Sequence, residues 1–105
     1  MELLRNTDEV ERLLSAPLAI IFKHSSTCGI SARAHEEAER FLAENPEHAV
    51  HKVDVLESRR VSDYIEAKTG VRHESPQLLV LRNGQLVWQG SHSRVTAEAI
   101  ATSLS

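Results

Sequence analysis

The sequence has few of the residues that mark several common classes of protein. It contains one cysteine in 105 residues, which excludes an intramolecular disulfide framework and fits a reducing compartment. Its 12 basic and 15 acidic side chains give a net charge of −3 without a basic cluster, so we expect no nucleic-acid partner and no membrane partner. No apolar run reaches the length of a membrane span, and the N-terminus lacks the basic and apolar regions of a signal peptide. The sequence therefore predicts a single cytoplasmic domain over residues 1–105.

The six histidines do not form a metal-binding pattern. His24 and Cys28 could supply two ligands, but the other histidines show no paired spacing of the kind that marks a zinc site. Scattered surface histidine is the simpler interpretation. We therefore predict no metal site and no bound cofactor.

The pattern of apolar residues predicts helices and strands in alternation. Thr7 is placed to cap a first helix, which ends before Pro17. The nearly continuous apolar run from Pro17 to Phe22 is typical of a strand that is buried on both faces. The remaining elements are a helix over 30–42, a strand over 49–55, a helix after Ser58 that ends at Gly70, a strand over 76–82, its hairpin partner over 85–89 and a helix over 95–104.

The resulting order α-β-α-β-α-β-β-α resembles the thioredoxin fold with one extra N-terminal helix. A right-handed crossover places the first two strands side by side, so helices cover both faces of a sheet. We therefore predict a thioredoxin-like α/β fold with a mixed four-stranded sheet. In that fold the reactive cysteine follows the first core strand, where Cys28 stands, and a cis proline begins the hairpin, where Pro76 stands.

Cys28 lies between the apolar strand and the start of the second helix. Backbone N–H groups at the start of a helix favour a thiolate over a thiol, so this position predicts a reactive, catalytic cysteine. The alternative is a small buried core residue, because free cysteine is among the most buried residue types.

Five neighbours of Cys28 are candidates for supporting its thiolate. Lys23 and His24 could add positive potential, although a solvated strand end and a polar loop residue are the alternative interpretations. The hydroxyl groups of Thr27 and Ser31 could donate hydrogen bonds to the sulfur. Gly29 gives the start of the helix more backbone freedom.

Ser31 carries the most specific inference about mechanism. It stands where a Cys-x-x-Cys redox enzyme has its second thiol, and a hydroxyl group cannot resolve a mixed disulfide. The protein therefore needs an external small thiol or a reductase to regenerate Cys28. The alternative is that Ser31 only satisfies the first turn of the helix.

Ser75 and Pro76 form the predicted second half of the site. If their peptide bond is cis, the adjoining backbone groups face the thiol and an extended substrate can pair beside Cys28. The alternative is a proline that merely starts an edge strand.

The motifs resemble one family over essentially the whole chain. They are Phe22-Lys23-His24-Ser25, Thr27-Cys28-Gly29-Ile30-Ser31-Ala32, His73-Glu74-Ser75-Pro76-Gln77, Asn83-Gly84, and Ser91-His92 with Thr96-Ala97. Together they look like the monothiol bacilliredoxins of the YtxJ type. The resemblance implies a cytosolic oxidoreductase that removes bacillithiol from S-bacillithiolated client proteins. It also implies that Cys28 is the attacking thiol and that bacillithiol is the low-molecular-weight co-substrate.

One residue departs from the family pattern. Members typically have proline after the cysteine, whereas this chain has Gly29, and Cys-Gly-Ile-Ser is similar to the Cys-Gly-Phe-Ser of monothiol glutaredoxins. Those proteins share a [2Fe–2S] cluster across a dimer. The alternative function is thus a non-catalytic module, either an iron–sulfur carrier using Cys28 from two chains or an adaptor that binds an extended peptide near Pro76. The block from His73 to Gln77 and the lack of a late Gly-Gly-x-Asp element favour the bacilliredoxin interpretation.

Overall fold

The computed structural model describes residues 1–27 and 29–105, which form a sheet with helices on both faces. The strands in this part of the chain are β1 (Glu2–Leu3), β2 (Leu18–His24), β3 (His51–Asp54), β4 (Gln77–Arg82) and β5 (Gln85–Ser91). The helices are α1 (Thr7–Leu14), α2 (Gly29–Glu44), α3 (Arg59–Thr69) and α4 (Ala97–Ser103), with a 3-10 turn over His92–Arg94 before α4.

Strand β2 lies at the centre of the sheet, whose order is β1-β3-β2-β4-β5. It runs parallel to β3, with Lys23 opposite Val53, and antiparallel to β4, with Lys23 opposite Gln77. Residues 19–22 are buried, as the apolar run in the sequence predicts, and Lys23, the next residue, is buried as well. The C-terminal end of β2 and the start of β4 therefore meet at one edge of the sheet.

The sheet has five strands in the described part of the chain, so the prediction of four was wrong. The additional strand is β1, whose Glu2 pairs in parallel with His51 of β3. Its backbone is held by hydrogen bonds from Glu2 N to Val50 O (3.0 Å) and from Leu4 N to Lys52 O (2.7 Å). Two residues are too few to show a strand period, and only the unpaired edge of β3 makes this segment a strand.

The first helix is capped one residue earlier than predicted. Asn6, not Thr7, is the N-cap, and its Oδ1 accepts a hydrogen bond from Glu9 N at 3.0 Å. Asparagine and threonine both favour this position, so the sequence alone does not separate them. Across residues 1–27 and 29–105, no helix combines the length and the apolar character needed to cross a bilayer.

Each face of the sheet packs on its own apolar cluster. Ile20 and Phe22 of β2 pack with Ala34, Ala38 and Phe41 of α2. On the other face, Ala19 and Ile21 of β2 pack with residues of α1 and α3. Because successive side chains of a strand point to opposite faces, consecutive residues at the end of β2 enter different environments.

Candidate functional site

The candidate site is centred on the connection from β2 to α2. Cys28, the predicted catalytic residue, lies outside the residues that the structure describes, and its role stays a prediction. Gly29, the next residue in the chain, is the first residue of α2. The first turn of α2 carries no acidic side chain, so no carboxylate there opposes the positive potential of the helix N-terminus.

The loop that follows β2 is tied to α2 through Ser31. The Ser31 side chain is fully buried, and its Oγ accepts a hydrogen bond from the backbone N–H of Ser25 at 3.3 Å. The Ser25 hydroxyl in turn lies 3.3 Å from Oγ1 of Thr27, which is exposed. The Ser31 hydroxyl retains a proton to donate, so the predicted hydrogen bond from Ser31 to a thiolate is compatible with this contact but stays a prediction.

His24 points toward α2, on the face of the sheet that this helix covers. Its ring centroid lies 5.6 Å from that of Phe22 and 5.0 Å from that of His35. Burial, assisted by His35 and Lys52, lowers the pKa of His24 below its usual 6.5. The imidazole is therefore mainly neutral at pH 7, so any support of the thiolate would come from a hydrogen bond rather than from charge.

The Nδ1 atom of His24 is buried and has no hydrogen-bond partner among residues 1–27 and 29–105. Its neighbour His35 is engaged on both sides, because Nε2 lies 3.2 Å from Lys52 Nζ and Nδ1 lies 3.0 Å from Glu39 Oε1. His35 was not among the site residues predicted from the sequence. His35 lies on α2 and His24 on β2, so their proximity depends on how α2 packs against β2, which the sequence does not show.

Lys23 points to the opposite face, where α3 covers the sheet. Its side chain is 0% exposed, and Nζ lies 3.1 Å from Nδ1 of His73. The hydroxyl of Ser62 in α3 lies 3.3 Å from the same nitrogen. Burial lowers the pKa of the Lys23 ammonium group, and Glu66 and Asp63 partly oppose that shift. Lys23 therefore contacts the segment before Pro76. The predicted support of the thiolate by Lys23 stays a prediction.

Ser75 and Pro76 lie at the start of β4, at the same edge of the sheet as the end of β2. Their peptide bond is cis, and Pro76 O accepts a hydrogen bond from His92 N at 2.9 Å. Buried Gln77 holds the preceding segment, because its Nε2 donates to Arg72 O at 3.0 Å and its Oε1 accepts from Glu74 N at 3.3 Å. Ser75 and Pro76 therefore lie at the edge of the sheet where residues 25–27 follow β2, as the thioredoxin-like fold predicts.

Comparisons with known proteins agree with this geometry. A family model described as monothiol bacilliredoxin BrxC matches residues 2–100. A solved structure described as a candidate oxidoreductase with a thioredoxin fold is 33% identical, with a TM-score of 0.93 over 99% of this chain and 93% of that chain.

Oxidised mitochondrial thioredoxin 3 from Saccharomyces cerevisiae is 18% identical, with a TM-score of 0.75 over 97% of this chain and 91% of that chain. Thioredoxin from Trypanosoma brucei brucei is 14% identical, with a TM-score of 0.79 over 97% and 85% of the two chains. The two thioredoxins are alike in fold alone, and the set confirms the predicted thioredoxin-like class.

Proposed function

This chain belongs to the monothiol bacilliredoxin family and is therefore a thiol-disulfide oxidoreductase, and we propose that its reaction is the removal of bacillithiol from S-bacillithiolated proteins. The observation that carries the proposal is that the chain has a single cysteine and has Ser31 at the position of a resolving cysteine. The sequence holds no second thiol, and the position at which a resolving cysteine would stand is a buried serine that binds the loop backbone. A protein of this kind exchanges one thiol at a time.

The proposed first step is attack by the Cys28 thiolate on the bacillithiol sulfur of a mixed disulfide. The bond between that sulfur and the client cysteine breaks, the client leaves as a thiolate that takes a proton from water, and a Cys28–bacillithiol disulfide forms. In the second step another thiolate, from free bacillithiol or from a reductase, attacks the bacillithiol sulfur of this adduct. Cys28 leaves as a thiolate, and the oxidised product carries away the bacillithiol.

Local electrostatics support a reactive thiol at this position. An unperturbed cysteine has a pKa of about 8.5 and is only slightly ionised at neutral pH. The start of α2 supplies positive potential without an opposing carboxylate in its first turn. We propose that the thiol pKa of Cys28 lies below the usual value for this reason.

The partners proposed are S-thiolated client proteins and a low-molecular-weight thiol, in the cytoplasm. The backbone beside Ser75 and Pro76 would hold an extended segment of the client, because it lies at the edge of the sheet where β2 ends. No bound cofactor takes part in the proposed cycle; bacillithiol acts as co-substrate.

The test uses a model protein that carries bacillithiol on a single cysteine. We expect the wild-type chain to release the model protein's thiol and to gain the mass of one bacillithiol. Cys28→Ala and the closer replacement Cys28→Ser should release no thiol above the uncatalysed rate. Equal release by wild type and Cys28→Ala would refute the proposal.

One observation favours the iron–sulfur alternative. Gly29 is exposed, and apart from its chain neighbours and the backbone of its own helix, no atom of the described residues lies within 4 Å of the position that a Cβ would occupy there. This space would admit a bulky cluster and its second thiol ligand. Anaerobic reconstitution with iron and sulfide separates the two functions: a dimer with visible charge-transfer absorption would favour the carrier, and a colourless protein would exclude it.

A further inference from the structure

A groove of about 650 Å³ lies between α2 and the segment that joins β5 to α4. Gly29, Arg33 and Glu37 line it from α2, and His92 and Ser93 line it from the other side. Its volume falls in the range of sites for small molecules. We call it the Arg33 groove.

The Arg33 groove begins at the residue that follows Cys28 in the chain. Gly29, Arg33 and Glu37 are spaced four apart on α2, so they form one stripe along the helix, about 12 Å long at 1.5 Å per residue. Ile30 also lines the groove and is 53% exposed. The groove therefore offers a continuous surface along α2 that starts one residue after Cys28 in the chain.

The far wall of the groove is held by Pro76, the residue that precedes β4. His92 has a φ of 55°, a left-handed conformation that is uncommon for residues other than glycine. Its N–H donates to Pro76 O at 2.9 Å, and its carbonyl accepts from Val95 N at 3.2 Å. Such a backbone conformation persists only where surrounding contacts hold it in place, as these two hydrogen bonds do here. Conformations of this kind are concentrated at active and ligand-binding sites.

The end of the groove is closed by a contact between α2 and α4. Glu37 Oε1 accepts a hydrogen bond from Ala97 N at 2.9 Å, and its Oε2 lies 3.5 Å from Nη1 of Arg40. Thr96, which also lines the groove, caps α4 by accepting from Ala99 N at 3.0 Å. Both walls are thus joined by hydrogen bonds before any ligand binds.

Arg33 is the charged group of the groove that remains available to a ligand. Glu37 is engaged by Ala97 and Arg40, whereas no carboxylate lies within 4.0 Å of the Arg33 guanidinium in the described part of the chain. Arg33, His92 and Ser93 are all exposed and can donate hydrogen bonds. A guanidinium that faces a groove with further donors is suited to a carboxylate.

We propose that the Arg33 groove binds the carboxylate-bearing part of the small thiol that is joined to Cys28, with Arg33 as the carboxylate-binding residue. The inference rests on the proposed function, since it requires a mixed disulfide at Cys28. Bacillithiol suits the groove because its cysteinyl group is attached to a glucosamine that carries a malyl group with two carboxylates. The cysteinyl part would lie near Gly29 and the malyl part near Arg33.

The first experiment measures selectivity between two mixed disulfides of the same model protein, one with bacillithiol and one with 2-mercaptoethanol. We expect Arg33→Gln to lower the ratio of the two release rates about tenfold, because only bacillithiol offers carboxylates to the guanidinium. Arg60→Gln, an exposed arginine of α3, is the matched control and should keep the wild-type ratio. An unchanged ratio in Arg33→Gln would overturn the inference while leaving the proposed function intact.

A second measurement does not depend on turnover. Cys28 is converted chemically to its bacillithiol adduct and, separately, to its 2-mercaptoethanol adduct, and the backbone amide NMR signals are compared. We expect signals of Arg33, Ser93 and Thr96 to differ between the two adducts. Differences confined to residues outside the groove would overturn the inference, even if the protein proved inactive toward client proteins.

Discussion

Lys23 and His24 are neighbours in the chain, yet their side chains enter opposite faces of the sheet. Lys23 is fully buried under α3, where its Nζ contacts His73. His24 is half buried under α2, where its ring packs against Phe22 and His35. Burial lowers the pKa of both side chains. The two basic residues that precede the proposed catalytic cysteine therefore have different surroundings: Lys23 contacts the segment before Pro76, and His24 faces the helix that begins at Gly29.

The largest effect should come from truncating the side chain on the α3 face. Lys23→Ala leaves a cavity in a packed region and removes the contact with His73, so we expect the free energy of unfolding to fall by about 2–5 kcal/mol. Lys23→Met keeps most of the volume and should cost less than about 1.5 kcal/mol. Urea denaturation of the two variants measures the difference. Equal losses would mean that the amine contact, rather than the packed stem, carries the stability.

A smaller effect should appear in the dependence of stability on pH. Burial lowers the pKa of His24, and burial together with Lys23 lowers the pKa of His73, both from 6.5. The unfolded chain therefore binds protons before the folded chain does, and stability is lost as the pH falls from 6.5 through the lowered values. We expect His24→Gln to reduce this loss more than His73→Gln, because the His24 side chain is the less exposed.

Unfolding free energies measured from about pH 7 to pH 5 test the order of these two variants. The variant His51→Gln, in β3, controls for the removal of a histidine other than His24 and His73. If His24→Gln shows the wild-type slope, protonation of His24 does not limit stability in this pH range.

The smallest effect should come from charge at the start of α2. Ala32 is exposed in the first turns of α2, and Ala32→Glu places a carboxylate near the positive end of the helix. Charges at helix ends contribute about 0.3–1 kcal/mol, so we expect the thiol pKa of Cys28 to rise by about 0.2–0.7 units. The rate of alkylation by iodoacetamide as a function of pH measures the thiol pKa. Ala67→Glu on α3 is the control, and an equal rise there would exclude a local effect of the α2 terminus.

Most of the fold was predictable because its elements are strongly patterned. The apolar run of β2, the helical spacing of α2 and the Asn83-Gly84 turn all stand where they were expected, with Asn83 and Gly84 both at positive φ. Strand β1 was missed because a pair of residues carries no period. Its strand conformation depends on hydrogen bonds to β3, which the sequence around Glu2 does not reveal.

The chemistry proposed for the site is inferred from the sequence, whereas its geometry was only partly predictable. The sequence identifies Ser31 as the residue in place of a second thiol, and the structure adds that its Oγ binds Ser25 N. The alternation of β2 indicates that Lys23 and His24 face opposite ways, but not that His73 and His35 are their partners. Those contacts join segments 50 and 11 residues apart, so no local pattern could reveal them.

The number and position of its thiols limit the chemistry of this protein, and both follow from the amino-acid sequence alone. With one cysteine and a serine three residues later, it can exchange a thiol but cannot close a disulfide within the chain. The surfaces beside the β2–α2 connection come instead from packing: Pro76 lies at the sheet edge where β2 ends, and Arg33 and His92 line opposite sides of a groove. The reason is physical, because the identity of a reactive group is covalent and local, whereas a binding surface exists only after distant segments have packed together.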